Sequence, residues 1–460
     1  MKYYNSKSLK ILFLYCVLMS AHGAGFAQDT PGILKLATFD LDATPPVGST
    51  LTYDPMINDW DLGLRAKGIV ILGAGQPIVM CSVDWIGISN DSQDEFKKVM
   101  AAAAGTIPSR VVVHAIHQHD APASDFGAEK LLISKGLSPM AFEGSYARDL
   151  IKRIGAAISQ SIPKAIPFTH IGTGKAEVYE VASNRRVLGP DGKVKYTRSS
   201  ATKDSVIRAE PLGLIDPMVS LISFWNQKKP VAVLSYYASH PQSYYRTGIP
   251  NPDFPGIARF MRQLAVPDAL HIHFNGAGGN ITAGKYNDGA KENRMILATR
   301  LADGMKRAWD NTKLEPVNAS MVQWNFEPMI FKPAQGIENL EVRMQNDNQV
   351  FISNNLSKLV WLKRQQSGKT IDMSCLSIGN ARIVHLPGEP FVEYQLAAKA
   401  ERPDLFVAVA GYGDYSVGYI GTAIGYTQGG YETGQASGVT SEAEATMMNA
   451  IKKLLNPVKK

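Results

Sequence analysis

The chain has 460 residues, 45% of them hydrophobic and 19% charged. That composition excludes a disordered, collagenous or coiled-coil chain, and the length buries a large core without disulfide staples. The 48 Lys plus Arg against 41 Asp plus Glu leave a formal charge of +7, too small a surplus at this length for a nucleic-acid binder.

Lys2, Lys7 and Lys10 open the chain without an acid among them, and the apolar run 11–19 follows. Small residues at Gly25 and Ala27 then mark a cleavage point after Ala27. This is the layout of a secretory signal peptide, so residues 1–27 are expected to be removed and the mature chain to be secreted or periplasmic. The run is too short to span a bilayer, and no later stretch reaches that length. Cys16 lies inside the run; Cys81 and Cys375 remain. Their apolar, strand-like surroundings favour buried thiols, although an oxidising compartment also permits a bridge.

Along the mature chain, strand-like and helix-like segments alternate. KGIVILG (67–73), PIVMCSVDW (77–85), RVVVHAIH (110–117), MVSLISFW (218–225), VAVLSYYAS (231–239), LHIHFNG (270–276) and ARIVHLPG (381–388) are β-branched or aromatic runs bounded by Gly, Pro or charge. Ser92 and Glu95 read as a capping box before a helix, as do Ser441 and Glu444 before a last helix ending near Leu455. Residues 145–160 are amphipathic, and residues 289–310 put Leu297, Leu301 and Met305 on one face. Segments 184–215 and 412–437 read as long polar loops, which in compact domains often carry function. The expected architecture is a single α/β domain over residues 28–460, with mixed β-sheets flanked by helices.

Four apolar runs end in a Gly- or Pro-rich polar turn, where α/β proteins gather ligand-binding groups. His117 and His119 are one residue apart; if the strand runs through them, both side chains leave one face and suit a metal such as zinc. His240 ends another strand, and Glu389 follows a third. Such groups from separate strands can close a tetrahedral site with one position left for water, which then attacks a carbonyl near neutral pH. Spacing alone leaves His271 and His273 as a rival pair. His114 and His385 read as core histidines, and His170 as solvated. Tyr412, Tyr415, Tyr419, Tyr426 and Tyr431 form either an ordinary tyrosine-rich loop or a pocket wall. No G-x-S-x-G, P-loop or H-E-x-x-H motif occurs.

The ordered motifs HQHDAP (117–122), SNRR (183–186), SHPQS (239–243), NGAGGNITAGKYNDG (275–289), PGEP (387–390), GYIGT (418–422) and GGYE (429–432) resemble the catalytic domain of neutral ceramidases. The resemblance spans nearly all of the mature chain. It implies one zinc ion (Zn2+) held by His117, His240, Glu389 and Tyr419. His119, Arg185 and Tyr431 are the implied catalytic groups, handling protons and stabilising a tetrahedral oxyanion. It leaves His271 and His273 outside the site. It covers the catalytic domain alone, without the immunoglobulin-like module that usually follows.

Three places depart from the family pattern. Gln118 and Asp120 replace smaller residues beside the histidine pair, and Asn251 stands near the place of a serine before the 252–256 segment. These departures point away from ceramide itself. The expected activity is zinc-dependent hydrolysis of an N-acyl amide on a small lipid or saccharide-type molecule. Hydrolysis of an ester or saccharide-linked bond on the same metal, or a non-catalytic envelope binding protein, are the alternatives.

Overall fold

A computed structural model of the chain describes residues 32–343 and 349–457. The expected signal peptide, residues 1–27, lies outside the described residues. Three sheets carry the fold. The first runs in the order Val111–Ala115, Ile78–Val83, Arg65–Leu72, Lys35–Asp42, Ile166–Pro167. The second runs Leu270–Asn275, Lys229–Tyr237, Met218–Asn226, His170–Glu177, Lys313–Pro316. The third runs Val322–Met329, Ile371–Ile378, Ala381–His385, Phe406–Ala410.

Alternating side chains explain how the sheets stack. In Arg65–Leu72, Ile69 and Ile71 enter one buried cluster, while Ala66 and Val70 enter another. The first cluster is shared by all three sheets: Ile69 and Met80 meet Ile222, Leu234 and Phe274, and these meet Leu376, Ile383 and Ala408. The outer face of each sheet is covered by its own helices. Asn90–Ala104 and Ser145–Ser161 cover the first through Phe96, Leu150 and Ile154. Asp253–Ala265 and Glu292–Asp310 cover the second through Phe254, Leu297 and Leu301. Gln349–Gln366 and Ala443–Leu455 cover the third through Leu359, Met447 and Ile451. Strands buried on both faces read as unbroken apolar runs, which is why the sequence showed them. The mixed α/β expectation holds.

Each sheet contains one parallel pair: Ile78–Val83 with Val111–Ala115, Lys229–Tyr237 with Leu270–Asn275, and Ala381–His385 with Phe406–Ala410. Parallel neighbours place their C-terminal ends together, where α/β folds hold ligands. The loops that leave these ends carry His117, His240, Glu389 and the tyrosine segment.

Several local expectations need correction. Neither capping box forms. Ser92 lies within the helix Asn90–Ala104, where its hydroxyl accepts from the Phe126 N–H (2.9 Å). Glu444 instead caps a neighbouring helix, accepting from the Ala423 N–H at 2.7 Å. His170 is half-buried in a strand and bonded to Thr169 Oγ1 (2.8 Å), not simply solvated. The loop expected at 184–215 contains the short hairpin Arg186–Leu188 and Val194–Thr197 and the helix Ser205–Ala209. Cys81 and Cys375 are both free and buried, in the outer clusters of different sheets.

His271 and His273 are core residues of Leu270–Asn275, and His273 Nδ1 lies 2.9 Å from Ser235 Oγ. Burial, with the nearby Arg259 charge, pushes the His273 pKa down to about 3. An unfolded histidine titrates near ~6.5. Between those values only the unfolded chain takes the proton, so this contribution to stability is lost as pH falls below about 6.5. On moving from pH 7 to pH 5, the wild type should therefore lose roughly 2 kcal/mol more unfolding free energy than His273→Gln. Urea denaturation at both pH values checks this; equal losses would remove His273 from the acid response.

Candidate active site

The first donor sits on a strained turn. The strand Val111–Ala115 stops before His117, whose φ is +69°, so the same-face argument for His117 and His119 does not apply. A turn brings the two rings together instead, with centroids 4.9 Å apart. Left-handed backbone at a non-glycine residue costs on the order of 1 kcal/mol or more and persists only where neighbours enforce it. Here the Ile116 N–H donates to the Val83 carbonyl and the His117 N–H to the Trp85 carbonyl, both at 3.0 Å. Tyr412, also at positive φ (+59°), stacks on the His117 ring at 4.5 Å.

His240 follows the strand Lys229–Tyr237, and its N–H donates to the Ile281 carbonyl at 3.1 Å. Glu389 starts the two-residue strand Glu389–Pro390, which pairs in parallel with Tyr419–Ile420, so Glu389 and Tyr419 are in register. Glycine is required beside it. Gly388 has φ +61°, and a Cβ there would lie 2.5 Å from the Gly418 carbonyl oxygen.

Three atoms from three sheets now converge. His117 Nε2 and His240 Nε2 are 3.1 Å apart, and Glu389 Oε2 lies 3.3 Å from the first and 3.6 Å from the second. The protons on the rings can be assigned from their partners. His117 Nδ1 faces the Ile86 carbonyl at 2.7 Å and His240 Nδ1 faces the Gly278 carbonyl at 3.3 Å. A carbonyl only accepts, so each Nδ1 carries the hydrogen and each Nε2 presents a lone pair. Glu389 Oε2 has no hydrogen-bond partner, while Tyr415 donates to Oε1. A tetrahedral ion with bonds of about 2.0–2.1 Å sets its ligand atoms roughly 3.3–3.4 Å apart. Two nitrogens and one carboxylate oxygen at this spacing, all buried, fit zinc.

His119 belongs to the same cluster. Its ligand atom lies within 4.8 Å of those of His117 and His240. That spacing is looser than the Glu389 set. Burial, followed by the His117 and Arg185 charges, holds the His119 pKa well below the usual value. Its Nδ1 is buried without a hydrogen-bond partner.

Arg185 lies buried between the short strands Ser183–Asn184 and Arg186–Leu188. One of its nitrogens donates to Tyr419 Oη at 3.0 Å and also to Tyr431 Oη, and the two hydroxyls are 2.9 Å apart. Two phenols own two protons; the Tyr–Tyr bond uses one, and the other remains to donate. Tyr419 stands parallel to His240 with ring centroids 6.4 Å apart. Its hydroxyl is taken up by Arg185 and Tyr431.

All of the expected site residues except Arg185, which is bonded to the Tyr419 and Tyr431 hydroxyls, line one cavity of about 440 Å³, with Tyr53, Phe142 and Lys358 among the other wall residues. The structure thus brings together His117, His119, His240, Glu389, Arg185, Tyr419 and Tyr431, as expected of one site. The departures noted in the sequence lie elsewhere. Gln118 donates to the Asp84 carbonyl (2.7 Å), and Asp120 accepts from the Arg246 and Thr247 N–H groups (2.8 and 3.2 Å). Asn251 bonds Asp61 at 2.8 Å. None of the three is on the cavity wall. Sequence reasoning missed Tyr53, which stacks with His119 at 5.8 Å, and Lys358; neither stands in a motif. Tyr412 and Tyr415 were seen only as part of a tyrosine-rich loop.

No family model and no curated protein sequence matches the chain. Solved structures do. A ceramidase complexed with C2 superposes with a TM-score of 0.65 at 14% identity, covering 92% of this chain and 75% of that one. Neutral ceramidase from Pseudomonas aeruginosa superposes with a TM-score of 0.65 at 16% identity, covering 93% and 76%. The chain has the neutral ceramidase fold.

The tyrosine segment is held to Arg185 through its neighbour. Arg186 pairs with Glu432 at 3.0 Å and donates to the Gly425 carbonyl at 2.9 Å, both ions being buried. Removing one partner of a buried pair costs about 3–5 kcal/mol, since the other charge is left unpaired. Arg186→Met should lower stability by about that much in urea denaturation. A change under about 1 kcal/mol would show that the pair does not hold the segment.

Proposed function

We propose that the protein is an exported zinc-dependent hydrolase that cleaves an amide bond. The observation that carries this reading is the meeting of two histidine lone pairs and one unpartnered carboxylate oxygen within 3.6 Å. The ceramidase fold and the N-terminal leader pattern support it. His117, His240 and Glu389 would hold the ion, with Tyr419 beside them. A zinc ion bound there supplies an activated water near neutral pH and polarises a carbonyl.

The remaining steps belong to the chain's own residues. Neutral His119, whose buried Nδ1 has no hydrogen-bond partner, takes a proton from the attacking water and returns it to the leaving nitrogen. The phenolic proton left over on the Tyr419–Tyr431 pair donates to the oxygen that becomes negative. Arg185 keeps both hydroxyls oriented and adds a fixed positive charge that is worth more in a dry site than in water. Tyr415, bonded to Glu389 Oε1, leaves Oε2 as the ligand atom. The apolar side of the cavity, with Ile86, Ala141 and Phe142, suits an acyl chain.

Elemental mass spectrometry of the purified mature chain should find about one zinc per chain, and His240→Ala should bring that close to zero. A fully metallated, active His240→Ala protein would remove this site from the mechanism. Arg185→Ala should keep its zinc and lose about 10²–10³ in kcat, because the phenol pair that serves as oxyanion donor loses the group that orients it. Unchanged kinetics on an N-acyl amide would exclude Arg185 from catalysis.

A further inference from the structure

One charged group on the cavity wall is not used by this mechanism. Lys358 comes from the helix Gln349–Gln366 and is only 5% exposed. A lysine on a helix usually extends its ammonium to water. This one is held inward: Nζ donates to Asn355 Oδ1 at 3.0 Å and to the Gln435 carbonyl. Both acceptors are neutral, and Asn355 and Gln435 themselves line the cavity. An ammonium has three N–H donors, so one remains.

The charge balance of the wall points the same way. Among its described lining residues the only carboxylate is Glu389, whose oxygens face Tyr415 and the two histidines rather than Lys358. A buried cation without a paired anion is costly, and a ligand anion relieves that cost. The match with Arg185 does not substitute for it, because Arg185 is engaged by the two tyrosines. Burial lowers the Lys358 pKa to about 8, with Glu389 opposing.

We infer that Lys358 is an anion-recognition point, and that the preferred amide, on the hydrolase reading above, is an amphiphile whose head group carries a carboxylate-like negative charge. The acyl chain then lies along Ile86, Ala141 and Phe142, and the single free N–H of Lys358 makes a charge-assisted hydrogen bond to one head-group oxygen.

Binding separates this inference from catalysis. The probes are two ketones that cannot be hydrolysed: 4-oxopentadecanoic acid and 1-hydroxypentadecan-4-one, which copy N-lauroylglycine and N-lauroylethanolamine. Calorimetry on the purified full chain should show the acid binding at least about 10-fold tighter than the alcohol. Lys358→Met should bring the two affinities together, and Lys358→Arg should keep the preference. Equal binding in the wild type, or a preference that survives Lys358→Met, would overturn the inference. If Lys358→Met does not fold, Lys358→Gln replaces it, and the wild-type ratio still decides against the inference when it is near one. Turnover of N-lauroylglycine and N-lauroylethanolamine is measured separately. Anion-selective binding with no turnover of either would overturn the hydrolase reading and leave the anion point standing. Turnover of both with no selectivity would do the reverse.

Discussion

Three lone pairs facing one another inside a protein repel unless a cation lies among them. That constraint organises the loops around His117, His240 and Glu389. Each ring is locked by a carbonyl on its far nitrogen, and the carboxylate is locked by a phenol on its far oxygen. Every donor therefore has one use left. The positive φ at His117 and at Tyr412, whose rings stack, is the backbone cost of that convergence.

The fold makes the convergence possible by giving each sheet one parallel pair. Antiparallel strands return at once through short turns, whereas parallel ends release longer loops on one side. Three such ends release the loops that meet at the site. The shared core of Ile69, Leu234 and Ile383 fixes the sheets against one another, so the site inherits its geometry from close-packed apolar contacts.

Much of this was legible in the residues. Strands buried on both faces are unbroken apolar runs, and the polar turns at their ends announced His117, His240 and Glu389. Tyr419 was not announced by pattern; its place depends on pairing with Glu389 across a two-residue strand, which no periodicity reveals. The helix starts failed for a related reason. Ser92 and Glu444 have the composition of caps, but tertiary partners at Phe126 and Ala423 took their oxygens. Gln118 and Asp120 neighbour the histidine pair in sequence yet do not line the cavity, which a sequence cannot show. Lys358 was invisible, since a lysine in a helix ordinarily faces water.

Because each of the three donors hangs from a different sheet, no pair of sheets presents a complete ligand set. Strand pairing in this chain joins residues far apart in sequence, and folds of that kind assemble slowly. The three proposed ligand atoms therefore meet only once all three sheets are together. On the proposed metal reading, metal uptake by refolding protein would report when the three sheets have come together. A partly assembled chain in the presence of metal is poorly equipped to trap it, which guards the site against being filled in the wrong geometry.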